Sequence, residues 1–136
     1  MGLTRVQDWP ERLHEYVELV AGERFAWGRF DCCLFAADAV RVMTGFDGAA
    51  PLRGRYSSEG EALALLQAEG GLEAYVSHVL GVPRAPLYAQ RGDVVLRRAE
   101  GEMDALGVCL GVMAAFAAPR GITLVPLDQC AMCWSV

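Results

Sequence analysis

The sequence contains no lysine. Its twelve basic residues are all arginine, set against seventeen acidic residues for a net charge of −5. The arginines are scattered, and only Arg97 and Arg98 are adjacent. Nothing forms a basic stripe that would track phosphates, so nucleic acid is not an expected partner. Histidine is scarce, with His14 and His78 alone. Any imidazole chemistry must come from one of these two. Long apolar runs are missing as well. The longest, Ala105 to Pro119, is interrupted by Gly107 and Gly111 and is too short to span a bilayer. It reads as strands, and no membrane span is expected. Met1-Gly2-Leu3-Thr4-Arg5 carries no apolar signal-peptide core. Synthesis in the cytoplasm without a signal peptide is therefore expected. Five cysteines are an odd number and show no disulfide-framework spacing, so reduced thiols are expected.

What is present fits one domain over residues 1–136 with a sizeable core. Hydrophobic residues make up 54% and charged residues 21%, which argues against disorder. Asp8 to Ala21 has apolar residues at helical spacing (Trp9, Leu13, Tyr16, Val17, Val20), with Asp8 and Glu11 in a capping-box pattern and Gly22 as the stop. Cys32 to Met43 is apolar nearly all round, predicting a buried helix stopped by Thr44-Gly45. Ser58 and Glu61 form a second capping box for a helix ending near Gly70-Gly71, and Leu72 to Leu80 predicts a short fourth helix. Beyond Pro86 the pattern changes. Arg91-Gly92-Asp93 reads as a turn into the strand Val94-Val95-Leu96. Glu100-Gly101-Glu102 reads as a hairpin turn. Leu106 to Met113, Ala115 to Ala117 and Ile122 to Val125 read as strands, with Pro119-Arg120-Gly121 between the last two. Helices first and an antiparallel sheet afterwards make an α+β fold.

The most informative stretch is Phe25-Ala26-Trp27-Gly28-Arg29-Phe30-Asp31-Cys32-Cys33-Leu34-Phe35. A Trp-Gly turn leads through Asp31, a natural N-cap, into two cysteines that open a helix. A thiol there faces unpaired N–H groups and the positive end of the helix dipole. Both favour the thiolate, which is the nucleophile. The competing reading is that two small apolar residues simply open a buried helix.

This stretch resembles the motif of the NlpC family of papain-like cell-wall cysteine peptidases, where an aromatic-x-Trp-Gly turn precedes Asp-Cys. Arg91-Gly92-Asp93-Val94-Val95 is similar to that family's Gly-Asp-Leu-Val strand. Leu106-Gly107-Val108-Cys109-Leu110-Gly111 is similar to its His-Val-Gly-Ile-Tyr strand without the His. Ala115-Phe116, Gly121-Ile122 and Val125-Pro126-Leu127 fit the closing strands. The resemblance runs in order from about Trp9 to Leu127, and its overall pattern is nearest to a branch found in phage, prophage and gene-transfer-agent tail modules. It implies an NlpC-type domain of N-terminal helices on a C-terminal antiparallel sheet. Carried over by position, Cys32 falls on the nucleophile and Asp31 on the acidic residue before it. Cys33 and Leu34 replace Ser and Gly, and Phe25 replaces a Tyr. Cys33, Trp27, Phe25 and Ala105 would form the oxyanion site or the site wall. Ala105 stands where the general-base His is expected.

That replacement matters, because a cysteine peptidase needs a base or imidazolium partner near its sulfur. His14 and His78 each read either as a solvated helix residue or as a substitute partner. Asp104 adjoins Ala105, but strand neighbours point to opposite faces. Cys130-Ala131-Met132-Cys133 reads either as half a metal or redox site, with Cys109 and Cys32 or Cys33 completing four ligands, or as buried cysteines beside Met132 and Trp134. The second is preferred, and neither a metal nor a cofactor is expected. Asp38, in an apolar helix, is expected to pair with an arginine or cap a loop.

The resemblance implies a peptidoglycan hydrolase at a virion tail tip, acting through Cys32. The alternative is an inactive adaptor that keeps the fold and contacts other tail-tip or hub proteins. A mean hydropathy of +0.25 suits a domain that buries an extra face against partners. A third possibility is a thiol-dependent acyl-transfer enzyme outside any phage. Without the His, the purified chain is expected to hydrolyse peptidoglycan weakly or not at all.

Overall fold

A computed structural model describes residues 2–98 and 103–136. The turn expected at Glu100-Gly101-Glu102 lies outside the described residues. Helix α1 spans Trp9–Val20, α2 Cys32–Thr44, α3 Glu59–Gln67 and α4 Leu72–Leu80. Five strands follow: β1 Val94–Arg97, β2 Ala105–Cys109, β3 Met113–Ala118, β4 Gly121–Pro126 and β5 Met132–Trp134. They form one antiparallel sheet in the order β4-β3-β2-β1-β5. This is the α+β arrangement expected from the sequence.

Local chemistry accounts for most element ends, with three departures. Asp8 sits at the N-cap of α1 but makes no capping bond. Its carboxylate accepts from Arg12 Nε one turn on, at 2.9 Å, so the expected capping box is an ion pair instead. At α3 the box is half formed. Ser58 Oγ accepts from the Glu61 N–H, but the Glu61 carboxylate accepts from Ser57 rather than Ser58. The strand expected over 106–113 is shorter, and the one expected from Ala115 starts earlier. β2 stops at Cys109, and Gly111 turns the chain with φ 127° before β3 begins at Met113.

The alternation of strand side chains divides the core in two. Val94, Leu96, Leu106, Val108, Ala115 and Trp134 face the helices and pack with Leu13, Phe35, Ala39 and Met43. Val95, Cys109, Ala114, Phe116, Val125 and Cys133 form a second cluster on the other face, with Ala89 and Leu127 over it. Helix α2 lies across β2 and is held from outside by α1. The Tyr16 hydroxyl of α1 donates to the Phe35 carbonyl of α2 at 3.1 Å, and the two rings stack at 5.8 Å. Trp134 of β5 donates its Nε1–H to Ser77 of α4 at 3.1 Å, which ties the edge strand to the helical layer.

The two ends of the chain meet at buried Asp93. Its carboxylate accepts from Arg5 at 2.9 Å, from the Gln90 N–H at 2.9 Å and from the Val136 N–H at 3.1 Å. Arg5 Nε also donates to the Val136 main-chain oxygen at 2.8 Å. Among the described residues, no helix is long and apolar enough to cross a membrane.

Candidate active site at the start of the second helix

Asp31 organises the site. Its side chain is fully buried and accepts three hydrogen bonds. Leu34 N–H donates to Oδ1 at 2.9 Å, and this is the helix cap. Gly28 N–H donates to Oδ2 at 2.9 Å, and the Tyr56 hydroxyl donates to the same oxygen at 2.6 Å. Gly28 is required here for two reasons. Its φ is +85°, and a Cβ would lie 2.3 Å from the Tyr56 carbonyl oxygen. The Trp-Gly turn is therefore pressed against the Tyr56 backbone, and both segments grip one carboxylate. Burial, followed by the hydrogen bond to Asp31, pushes the Tyr56 phenol far above its usual pKa, so it stays a donor.

Cys32 is the first residue of α2, buried, with its sulfur toward the start of β2. The Cys33 sulfur is 4.0 Å away. The Cys33 thiol lowers the pKa of Cys32 most. The backbone N–H groups of Leu106 and Cys33 add to this, against opposing contributions from burial and from Asp31. Cys33 moves the other way, held well above the usual thiol range by Cys32 and by burial.

Ala105 opens β2, one residue before Leu106, and packs half-buried against both clusters, the one that holds Cys32 and the one on the opposite sheet face. Phe25 and Trp27 lie half-buried on the turn before Asp31, their rings edge to face at 4.9 Å. Neither histidine joins the site. His14 and His78 are exposed, on α1 and in the last turn of α4. No imidazole is among the groups acting on Cys32. Asp104 accepts from Arg98 at 2.8 Å. Asp38 pairs with Arg53, which also binds Asp47.

The other three cysteines are free and buried on the opposite sheet face. The sheet separates Cys109, Cys130 and Cys133 from Cys32 and Cys33, so the five do not gather into one ligand set. Among the described residues, no group of three or more His, Cys, Asp or Glu is placed to hold a metal. Tyr56 is the site residue that sequence reasoning missed. It lies 25 positions from Asp31, in a loop with no periodicity, and its only local signal is a lone aromatic between Arg55 and Ser57.

The chain is similar to the crystal structure of the NlpC/p60 domain of peptidoglycan hydrolase SagA. The TM-score is 0.62 with 16% identity, over 93% of this chain and 97% of that one. At that identity the likeness establishes the fold, which is NlpC/p60-like. No curated protein matches the sequence. The family model described as "Domain of unknown function (DUF6950)" matches residues 4–136, and the chain belongs to that family.

Proposed function

We propose that this protein is a cell-wall hydrolase of NlpC/p60 type, with Cys32 as its nucleophile, working at the tip of a phage-type tail. The observation that carries the reading is the setting of the Cys32 sulfur. It sits at a capped helix N-terminus, with the Leu106 N–H and the Cys33 thiol favouring its thiolate. The likeness to a peptidoglycan hydrolase domain supports an amide or peptide bond of peptidoglycan as the target. The thiolate attacks the carbonyl carbon and a C–S bond forms. Charge on the carbonyl oxygen is met by the N–H group of Cys32, which does not bond Asp31 as that of Leu34 does. Collapse breaks the C–N bond and leaves a thioester for water to cleave. The expelled amine takes its proton from water, because no imidazole stands near the sulfur to give one. Amide cleavage is therefore slow, while an activated ester, whose leaving group departs without a proton, is cleaved more readily.

A second reading is a tail-tip adaptor that has kept the fold and lost the reaction. Ala105 at the expected base position favours it. So do Leu87 and Val112, 79% and 84% exposed on one apolar groove with Pro86 and Leu127, which suits contact with hub proteins. The test uses p-nitrophenyl acetate and purified cell walls with wild type and Cys32→Ala. The hydrolase reading expects ester cleavage and slow loss of wall turbidity, both absent in Cys32→Ala. Equal rates in the two proteins on both substrates overturn it in favour of the adaptor.

A further inference from the structure

We propose that the groove between the end of α1 and the turn over 26–30 docks an acidic peptide segment of a partner protein, with Arg24, Arg29 and Arg120 as its cationic rim. The inference does not depend on Cys32 reacting. Arg24 and Arg120 face each other in an isolated antiparallel bridge. The Phe25 N–H donates to the Pro119 carbonyl at 3.3 Å, and the Gly121 N–H donates to the Glu23 carbonyl at 2.6 Å. The two arginines are the non-hydrogen-bonded pair between these bonds. Such pairs have Cα atoms about 4.5 Å apart and side chains on one face, and like charges placed there repel. Both residues are exposed, as is Arg29 on the turn between the bridged Ala26 and Phe30.

The chain does not lack acids to neutralise them, with seventeen against twelve arginines. Arg5, Arg12, Arg41, Arg53 and Arg98 each meet a carboxylate. Among the described residues, Arg24, Arg29 and Arg120 make no ion pair. Glu23 and Asp38 also border the groove, but Asp38 is held by Arg53, and Glu23 pairs with neither Arg24 nor Arg29. The groove encloses about 650 Å³, and Tyr16, Leu19 and Phe30 give it an apolar wall beside these two arginines. Leu19 is 78% exposed. Unpaired guanidinium groups next to an apolar wall match carboxylates set beside an apolar side chain, since each planar fork takes a carboxylate through two N–H groups. A nucleic acid fits worse. It needs a stripe of cations to follow its phosphates, and a chain of net charge −5 repels it beyond this rim.

The test is fluorescence anisotropy with a fluorescein-labelled peptide carrying glutamates on both sides of a Leu-Phe pair. The controls are the same peptide with glutamines and a labelled oligo(dT). The intact chain is expected to bind the acidic peptide, less tightly as salt rises, and to bind the glutamine peptide about tenfold more weakly. Arg24→Gln and Arg29→Gln should each weaken the acidic peptide about tenfold, and Arg120→Gln roughly threefold. Urea unfolding separates docking from structure. Relief of like-charge repulsion should leave Arg24→Gln and Arg120→Gln at least as stable as wild type. Equal binding of the two peptides, tighter binding of oligo(dT), no binding of the acidic peptide, or unchanged affinity in Arg24→Gln overturns the proposal. So does a large loss of stability in either bridge variant, which would make the pair part of the fold rather than of a docking surface.

Discussion

The sheet has a group of cysteines on each face, and the two groups behave differently although all five are buried. Cys32 and Cys33 open a helix whose cap is a carboxylate with three donors. Cys109, Cys130 and Cys133 lie in an apolar cluster, where burial raises each thiol. Cys109 and Cys133 donate their S–H to the carbonyls of Gly111 and Ala85 at 3.2 and 3.3 Å, contacts that only the protonated thiol makes. Burial alone therefore does not decide reactivity. On one face a second thiol and backbone N–H groups lower the Cys32 pKa against burial; on the other, burial outweighs the backbone of Gly111 at Cys109, and carbonyls accept from Cys109 and Cys133.

The largest expected effect tests what holds the reactive face together. Asp31→Ala removes the cap and leaves the Gly28 N–H and the Tyr56 hydroxyl buried without an acceptor. It should lower stability by about 3 kcal/mol in urea unfolding. Cys133→Ala, on the other face, loses one sulfur and should cost about 1 kcal/mol. The reverse order would break the comparison. Gly28→Ala should cost about 2 kcal/mol in the same measurement, because it forces a positive φ and drives a methyl group into the Tyr56 carbonyl. Neutral behaviour would mean that the turn is not pressed against residue 56.

Chemical labelling sharpens the contrast next. A small alkylating reagent at pH 7, with sites read by mass spectrometry, should modify Cys32 about tenfold faster than Cys109, Cys130 or Cys133. Equal rates would remove the distinction between the faces. The smallest effect is on stability against pH. Cys109, Cys130 and Cys133 have folded pKa values above their unfolded ones. The stability they contribute is present below about pH 8.5, the unfolded thiol value, and is lost as pH rises through the folded values. Cys32, with its folded value lowered, has the opposite slope, its contribution fading as pH falls through that lowered value. The triple variant Cys109→Ala/Cys130→Ala/Cys133→Ala should therefore lose less stability than wild type between pH 8 and 10 in urea titrations. A steeper loss would contradict the assigned directions.

Much of this was legible in the sequence, because local chemistry set it. The Trp-Gly turn, the Asp31 cap and the apolar run of α2 are contiguous, and Gly45 in a left-handed conformation closes the helix where a glycine stop is expected. Strand β5 was not legible. Its three residues, Met132-Cys133-Trp134, are too few to show alternation, and its pairing with β1 spans almost 40 positions. Asp8 misled because capping depends on backbone geometry that the residue type does not set; at φ −96° and ψ 27° its carboxylate turned to Arg12. Tyr56 and the 4.0 Å approach of the two sulfurs are products of tertiary packing. No spacing rule contains them.

The clasp at Asp93 bears on the order of folding. Arg5 and Val136 are 131 positions apart and close on one carboxylate. Joining such distant segments carries a large loop-closure cost, so this contact is expected to form after the helices and hairpins whose partners lie nearby. A contact absent from the transition state slows unfolding without speeding folding. The clasp is therefore expected to act as a kinetic latch: Arg5→Ala should speed unfolding in stopped-flow urea jumps and leave the folding rate nearly unchanged.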